Sequence, residues 1–201
     1  MPFEIPEGLN HDVFALAWML GRWEGVGKGS IPGEGEFEFG QIIDFSHNGG
    51  PYLHYLSQTF EMDDDGAFTK PLTMETGFWR PQPDASLEVV MCDPDGYAEV
   101  WFGSIKQAKI QLVTDAVART QTSKVPYTGG QRLYGNVEGD LLWTFDRATT
   151  EHTLQPYMWA RLARAEAVGG GSVVSGSAEG QRTVVSEDGA RTVVTGSPED
   201  A

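Results

Sequence analysis

Cysteine is nearly missing from this chain. Cys92 stands alone among 201 residues, so no intrachain disulfide can form, and the multiple Cys or paired His of a zinc site do not occur. That usage fits a reducing compartment, and the cytoplasm is the expected location. Long apolar runs are lacking too: none approaches the roughly 20 residues of a membrane span. The opening Met1-Pro2-Phe3-Glu4-Ile5-Pro6-Glu7-Gly8 has neither a basic nor an apolar segment, so no signal peptide is expected. Cations are scarce. Fourteen Lys and Arg face 29 Asp and Glu, and the formal net charge of -15 repels nucleic acid and anionic membrane, which excludes both as general partners. Histidine is limited to His11, His47, His54 and His152, with no pair at ligand spacing on one strand or helix face. No nucleophile and base stand in a recognisable constellation.

What is present is apolar and aromatic enough for one globular domain with a substantial core, at 40% hydrophobic residues, and its 25 glycines make it rich in turns. The stretch Gly21-Arg22-Trp23-Glu24-Gly25-Val26-Gly27-Lys28-Gly29 organises the rest. Its glycines recur at period two, which leaves one face of a strand nearly bare and open to close approach by backbone or a bulky partner. Trp23 is the large apolar group of the run and is expected to fill a core. The glycines are no phosphate loop, because the strand–turn–helix setting and the Gly-Lys-Ser/Thr ending are both missing. The expected role is the first strand of a closed barrel. Residues 1–10 read as an extended arm. Asn10 or His11 is placed to cap a short helix, and Val13, Leu16, Ala17 and Leu20 give it a buried stripe.

Strand patterns follow. Phe37, Phe39, Ile43 and Phe45 share one parity, with Glu36, Glu38 and Asp44 on the other. Further strands are expected at 52–62, 73–80, 87–92, 97–102, 109–113, 116–123, 132–137, 141–146 and 157–163. Turns lie at His47-Asn48-Gly49-Gly50-Pro51, Pro81-Gln82-Pro83-Asp84 and Asp93-Pro94-Asp95-Gly96, with a tight hairpin at Glu138-Gly139-Asp140. Asp63-Asp64-Asp65-Gly66 lacks the spacing and distal Glu of a calcium loop and reads as a solvated turn. His47 is expected to bond to backbone in its turn. About ten short strands with hardly any helix imply an all-β, ten-stranded antiparallel β-barrel of the fatty-acid-binding-protein or lipocalin kind, with a short N-terminal helix and an internal cavity.

The composition changes after Ala165. Residues 167–201 hold no aromatic, Leu or Ile. Arg182-Thr183-Val184-Val185 recurs as Arg191-Thr192-Val193-Val194. The expected division is an arm at 1–10, a barrel domain at 11–166 and a flexible low-complexity tail at 167–201. A small hairpin turning at Glu187-Asp188-Gly189 is the alternative for the tail.

Four segments together resemble the nitrobindin family. Leu20-Gly21-Arg22-Trp23-Glu24-Gly25-Val26-Gly27 is similar to its GXWXGXG motif, with Gly21, Trp23, Gly25 and Gly27 as the structural positions. Phe45-Ser46-His47 with Gly50-Pro51 and Tyr55, then Glu75-Thr76-Gly77-Phe78-Trp79-Arg80-Pro81, match the next two segments. Leu154-Gln155-Pro156 leading to Arg161-Leu162-Ala163-Arg164 matches the last. The resemblance runs from about Leu16 to Arg164. It implies a barrel that binds ferric haem b at one end, binds nitric oxide and isomerises peroxynitrite to nitrate.

The resemblance also places the family's iron-ligating His at Tyr157 of this sequence, a departure at the atom that carries the chemistry. A phenol ligates ferric iron only as phenolate, and an unperturbed phenol ionises near 10. Tyr-ligated haem, as in catalase, draws on nearby cations. Lys124 matches a lysine that the family places near the haem. Arg161 shares the strand parity of Tyr157 and is expected on its face, though too far along the strand to pair with it. Three readings follow. The first is a barrel with weak or lost haem binding whose cavity takes an unidentified small ligand. The second is a haem-b-dependent peroxynitrite isomerase and nitric oxide binder with Tyr157 as axial ligand. The third is an interaction protein whose acidic surface and tail recruit a basic partner. Ligation by His54 or His152 stays open, as does the choice between monomer and homodimer.

Overall fold

A computed structural model describes residues 5–123, 125–165, 181–185 and 191–195. Ten antiparallel strands form a closed barrel. They are β1 (Gly21–Ile31), β2 (Gly35–Ser46), β3 (Leu53–Met62), β4 (Phe68–Pro81), β5 (Ser86–Cys92), β6 (Tyr97–Lys106), β7 (Lys109–Arg119), β8 (Tyr127–Val137), β9 (Asp140–Thr149) and β10 (Gln155–Arg164). Each strand pairs with the next, and β1 closes the wall on β10 from Trp23 opposite Arg164 to Gly29 opposite Met158. Closure leaves no unpaired edge among the ten, which is how so long a meander avoids edge-to-edge association. No helix among the described residues is long and apolar enough to cross a membrane.

The glycine strand closes the barrel because its bare face admits its neighbours. A Cβ on Gly25 would lie 2.4 Å from the carbonyl oxygen of Arg161, and one on Gly27 would lie 2.3 Å from the Phe39 ring and 2.7 Å from the carbonyl oxygen of Trp159. Gly27→Ala therefore forces either the ring or the β10 backbone to move. Overpacking of this kind costs about 1–3 kcal/mol, read as a lower midpoint in thermal or urea unfolding. An unchanged midpoint would show that the β1–β10 seam is loose.

Residues His11–Met19 form a 3-10 helix capped by Asn10, whose side chain accepts a hydrogen bond from the amide of Asp12 at 3.0 Å. Val13, Leu16, Ala17 and Met19 are buried, and Trp23 Nε1 donates to the carbonyl of Met19 at 2.7 Å. Arg164, at the end of the last strand, donates to the carbonyls of Leu20 and Trp18 and stacks over the Trp23 ring at 4.1 Å. The helix thus plugs the end of the barrel marked by Trp23 and Arg164. Gly29 and Met158 lie six residues away along the same register, on the order of 20 Å, so the first residues of β10 belong to the other end.

The hairpin at Glu138 and Gly139 joins β8 and β9 as expected, with both residues at positive φ. Residues 109–113 and 116–123, expected as two strands, are one strand that ends at Arg119. The register steps from Val100 opposite Ala116 to Trp101 opposite Thr114, leaving Asp115 as an extra residue. A bulge reverses the alternation without ending the strand, so the sequence pattern breaks in two where the structure does not. In the second compact unit, Gln181–Val185 pairs antiparallel with Arg191–Thr195, from Gln181 opposite Thr195 to Val185 opposite Arg191. The pairing is the hairpin alternative for the tail; the Glu187-Asp188-Gly189 turn and the rest of 167–201 lie outside the described residues.

Candidate functional site

Alternation along the strands decides which polar groups enter the barrel. Glu75 shares its parity with Trp79 on β4, Glu99 with Trp101 on β6, and Arg132 with Tyr134 on β8, and each points inward. They meet. Arg132 donates to both oxygens of Glu75, at 2.7 and 2.6 Å, and lies 3.9 Å from the Glu99 carboxylate. Its guanidinium packs over the rings of Phe145 at 4.3 Å and Trp101 at 5.0 Å, and it also donates to the Tyr134 hydroxyl. Trp101 Nε1 donates to Glu99 at 3.2 Å. Burial works against the charge on Arg132, but Glu75, Tyr134 and Glu99 outweigh it and hold the guanidinium well above its ordinary range. Burial raises Glu99, helped by Glu75 and opposed by Arg132. Nearby, Gln41 bridges Ser57 and the indole of Trp143 at 2.9 and 2.8 Å.

Above this charged floor is a cavity of about 120 Å³, lined in part by Asp93, Asp95, Tyr97, Glu99, Tyr127 and Tyr157. A second cavity, of about 330 Å³, lies among the β1–β2 turn, Val125 and Pro126, and the β9–β10 loop with His152. Tyr157 and Arg147 line both. The Arg147 guanidinium sits 3.5 Å from the centroid of the Tyr157 ring, whose other neighbour is Phe145 in an edge-on contact at 5.5 Å.

Tyr157 reaches this position through a break in the β10 ladder. Pro156 pairs with Asp146 and Met158 with Phe145, so Tyr157 is the extra residue of a bulge that follows a proline. The bulge also corrects the expectation for Arg161. Parity counted through the bulge puts Tyr157 and Arg161 on one face, but Arg161 is exposed and pairs with Asp140 at 2.5 Å and Glu138 at 3.3 Å. The nearby cation is instead Arg147, which sequence reasoning missed although it shares its parity with Phe145 and Trp143. Lys124 lies outside the described residues.

The histidines are dispersed. His54 faces away from Leu53 and Tyr55 and contacts the Thr76 hydroxyl at 2.9 Å. His11 is exposed beside Asp12. The buried Nδ1 of His47, a residue expected to bond to backbone in its turn, has no hydrogen-bond partner among the described residues. His152 borders the outer cavity and is the one imidazole among the residues lining either cavity. Among the described residues no group of three or more His, Cys, Asp or Glu is arranged to hold a metal ion. The Asp63 carboxylate is occupied with the amides of Asp65 and Ala67, as in a solvated turn.

Residues 12–164 match the model of the THAP4-like, heme-binding beta-barrel domain. A ferric nitrobindin-like protein of Cutibacterium acnes is 64% identical over 166 residues, covering 82% of this chain and all of the relative. The chain belongs to the nitrobindin family. A peroxynitrite isomerase of Nocardioides sp. is 46% identical over 82% of this chain and 99% of its own. The crystal structure of Rv2717c from M. tuberculosis superposes with a TM-score of 0.71 at 29% identity, covering 79% of this chain and 99% of that one. The nitrobindin barrel therefore accounts for residues 12–164.

Proposed function

We propose that this protein is a nitrobindin-like barrel that holds haem b weakly or not at all and whose cavity serves another small ligand. The donor set carries the reading. The position implied for the iron-ligating imidazole is Tyr157, and the single imidazole bordering either cavity, His152, is exposed in a loop. The inner cavity holds about 120 Å³ and the outer one, which Tyr157 also lines, about 330 Å³; only the outer one reaches the roughly 300–1,000 Å³ usual for small-molecule pockets. The carboxylates lining the inner one disfavour the propionates of a haem. These residues fit a haem poorly.

If Tyr157 is not a ligand, wild type and Tyr157→Phe titrated with haemin give the same weak change in visible absorption. Tight binding by wild type that is lost in Tyr157→Phe overturns the reading.

One observation favours a second reading, in which the protein is a peroxynitrite isomerase with Tyr157 on the iron. Arg147 sets a fixed positive charge against the Tyr157 ring, the kind of neighbour a phenolate ligand needs. Bound haem would supply the iron centre for peroxynitrite isomerisation, with Tyr157 as its protein donor. This reading predicts that haemin-loaded protein speeds peroxynitrite decay and shields free tyrosine from nitration. Decay no faster than with free haemin excludes it.

A further inference from the structure

The outward positions of β4 to β7 line up in three rows across the four strands. The middle row is Phe78, Val90, Val100 and Ala116. On one side of it lie Arg80, Glu88, Phe102 and Val113. On the other lie Thr76, Cys92, Ala98 and Ala118. Phe78, Phe102 and Val113 are 45%, 48% and 51% exposed. The charged members of the three rows are Arg80 and Glu88, and they pair with each other at 3.0 Å. The outer face of β1 and β2 is the contrast, where Arg22, Glu24, Lys28, Glu38 and Asp44 stand in ion pairs.

This apolar face has a tall side and a low side. Within each strand the residue on the first side is larger than its counterpart on the second: Arg80 against Thr76, Glu88 against Cys92, Phe102 against Ala98 and Val113 against Ala118. A two-fold axis along the middle row therefore sets the tall side of one copy on the low side of another, with Phe102 entering the hollow at Ala98. That self-complementarity is what a closed, isologous pair requires. The area is suitable as well. At about 4.8 Å between strands and about 6.7 Å between residues of one face, three rows across four strands span about 400 Å². Each partner of a standard interface buries about 800 Å², as an apolar core with a polar rim. Tyr52 and His54 of β3, each 5.5 Å from the Phe78 ring, extend the core toward such a rim.

We propose that the outer face of β4 to β7 binds a second copy of this chain in a two-fold dimer. Charge selects the occupant. A basic partner is drawn to the acidic parts of a chain of net charge -15, not to a face whose two charges cancel. Two copies of that charge repel, and they approach with least repulsion through this face. The proposal is independent of what the barrel holds.

The test is sedimentation velocity of the full chain across a concentration series. The expected species at high concentration has twice the 22.0 kDa of the chain. A substitution occurs twice in a two-fold pair, so a tenfold loss at each site becomes about a hundredfold. Phe102→Asp, which puts a charge in the core, and Ala98→Trp, which fills the hollow, are each expected to weaken the dimer by about that much. Both positions are exposed, and an unchanged thermal midpoint of the monomer confirms the fold; where one variant fails to fold, the other carries the test. Val26→Asp, on the outer face of β1, is expected to leave the dimer intact. Added salt screens the repulsion and is expected to tighten it. A monomer at every concentration, a dimer indifferent to both Phe102→Asp and Ala98→Trp, equal loss in Val26→Asp, or weakening by salt overturns the proposal.

Discussion

Tyr157→His is expected to turn the barrel into a haem binder, raising haemin affinity by at least about tenfold, or ~1.4 kcal/mol. The position lies between the two cavities, where the bulge after Pro156 turns the side chain inward. A neutral imidazole offers iron a lone pair at neutral pH, whereas a phenol must first lose its proton. The substitution also uncovers Arg147, which now lies on the Tyr157 ring and in its absence is able to reach a propionate. A sharp Soret band that saturates at one haemin per chain in the variant is the expected readout. If Tyr157→His binds haemin no better than wild type, the cavity has diverged along with the ligand, and Tyr157 is not what limits haem binding.

Arg132→Met is expected to cost about 3–5 kcal/mol of stability, the usual penalty for leaving a buried charge without its partner. Arg132 satisfies both oxygens of Glu75 and is the nearest cation to Glu99. Its removal strands two carboxylates in the barrel. For a chain of this size the loss corresponds to a fall in Tm on the order of 10 °C. Adding Glu75→Gln to Arg132→Met removes one stranded charge and is expected to restore part of the stability, the signature of a pair rather than two independent sites. A loss below about 1 kcal/mol in Arg132→Met would show that water reaches the charged floor and screens it.

The architecture was legible because two periodicities agree. Alternating apolar residues mark the strands, and alternating glycines mark the seam where β1 must approach the carbonyls of Arg161 and Trp159. The helix plug followed from the stripe of Val13, Leu16 and Ala17, which are buried as expected. Legibility failed at the bulges. Asp115 made one strand look like two, and the extra residue at Tyr157 put Arg161 on the wrong face. Parity counting assumes an unbroken ladder, and a single inserted residue inverts every later assignment.

The charged floor was hidden for a different reason. A charge in a strand is ordinarily assigned to solvent, yet Glu99 and Arg132 each stand two residues from an aromatic that proved buried, and Glu75 stands four from one. Shared parity with Trp79, Trp101 and Tyr134 was the available signal. Three inward charges on three strands are acceptable only if they meet, and they do. Arg147 carried the same signal through Phe145 and Trp143, and it supplies the cation beside Tyr157 that Arg161 does not.

The most direct test of the central claim is the visible absorption spectrum of the wild-type protein as purified and after one equivalent of haemin, beside Tyr157→His under the same conditions. The expected result is a colourless wild-type protein whose haemin spectrum stays close to that of free haemin, and a sharpened, protein-bound Soret band in Tyr157→His. A wild-type protein that purifies with haem, or that takes up one equivalent with a sharp Soret band lost in Tyr157→Phe, would contradict it.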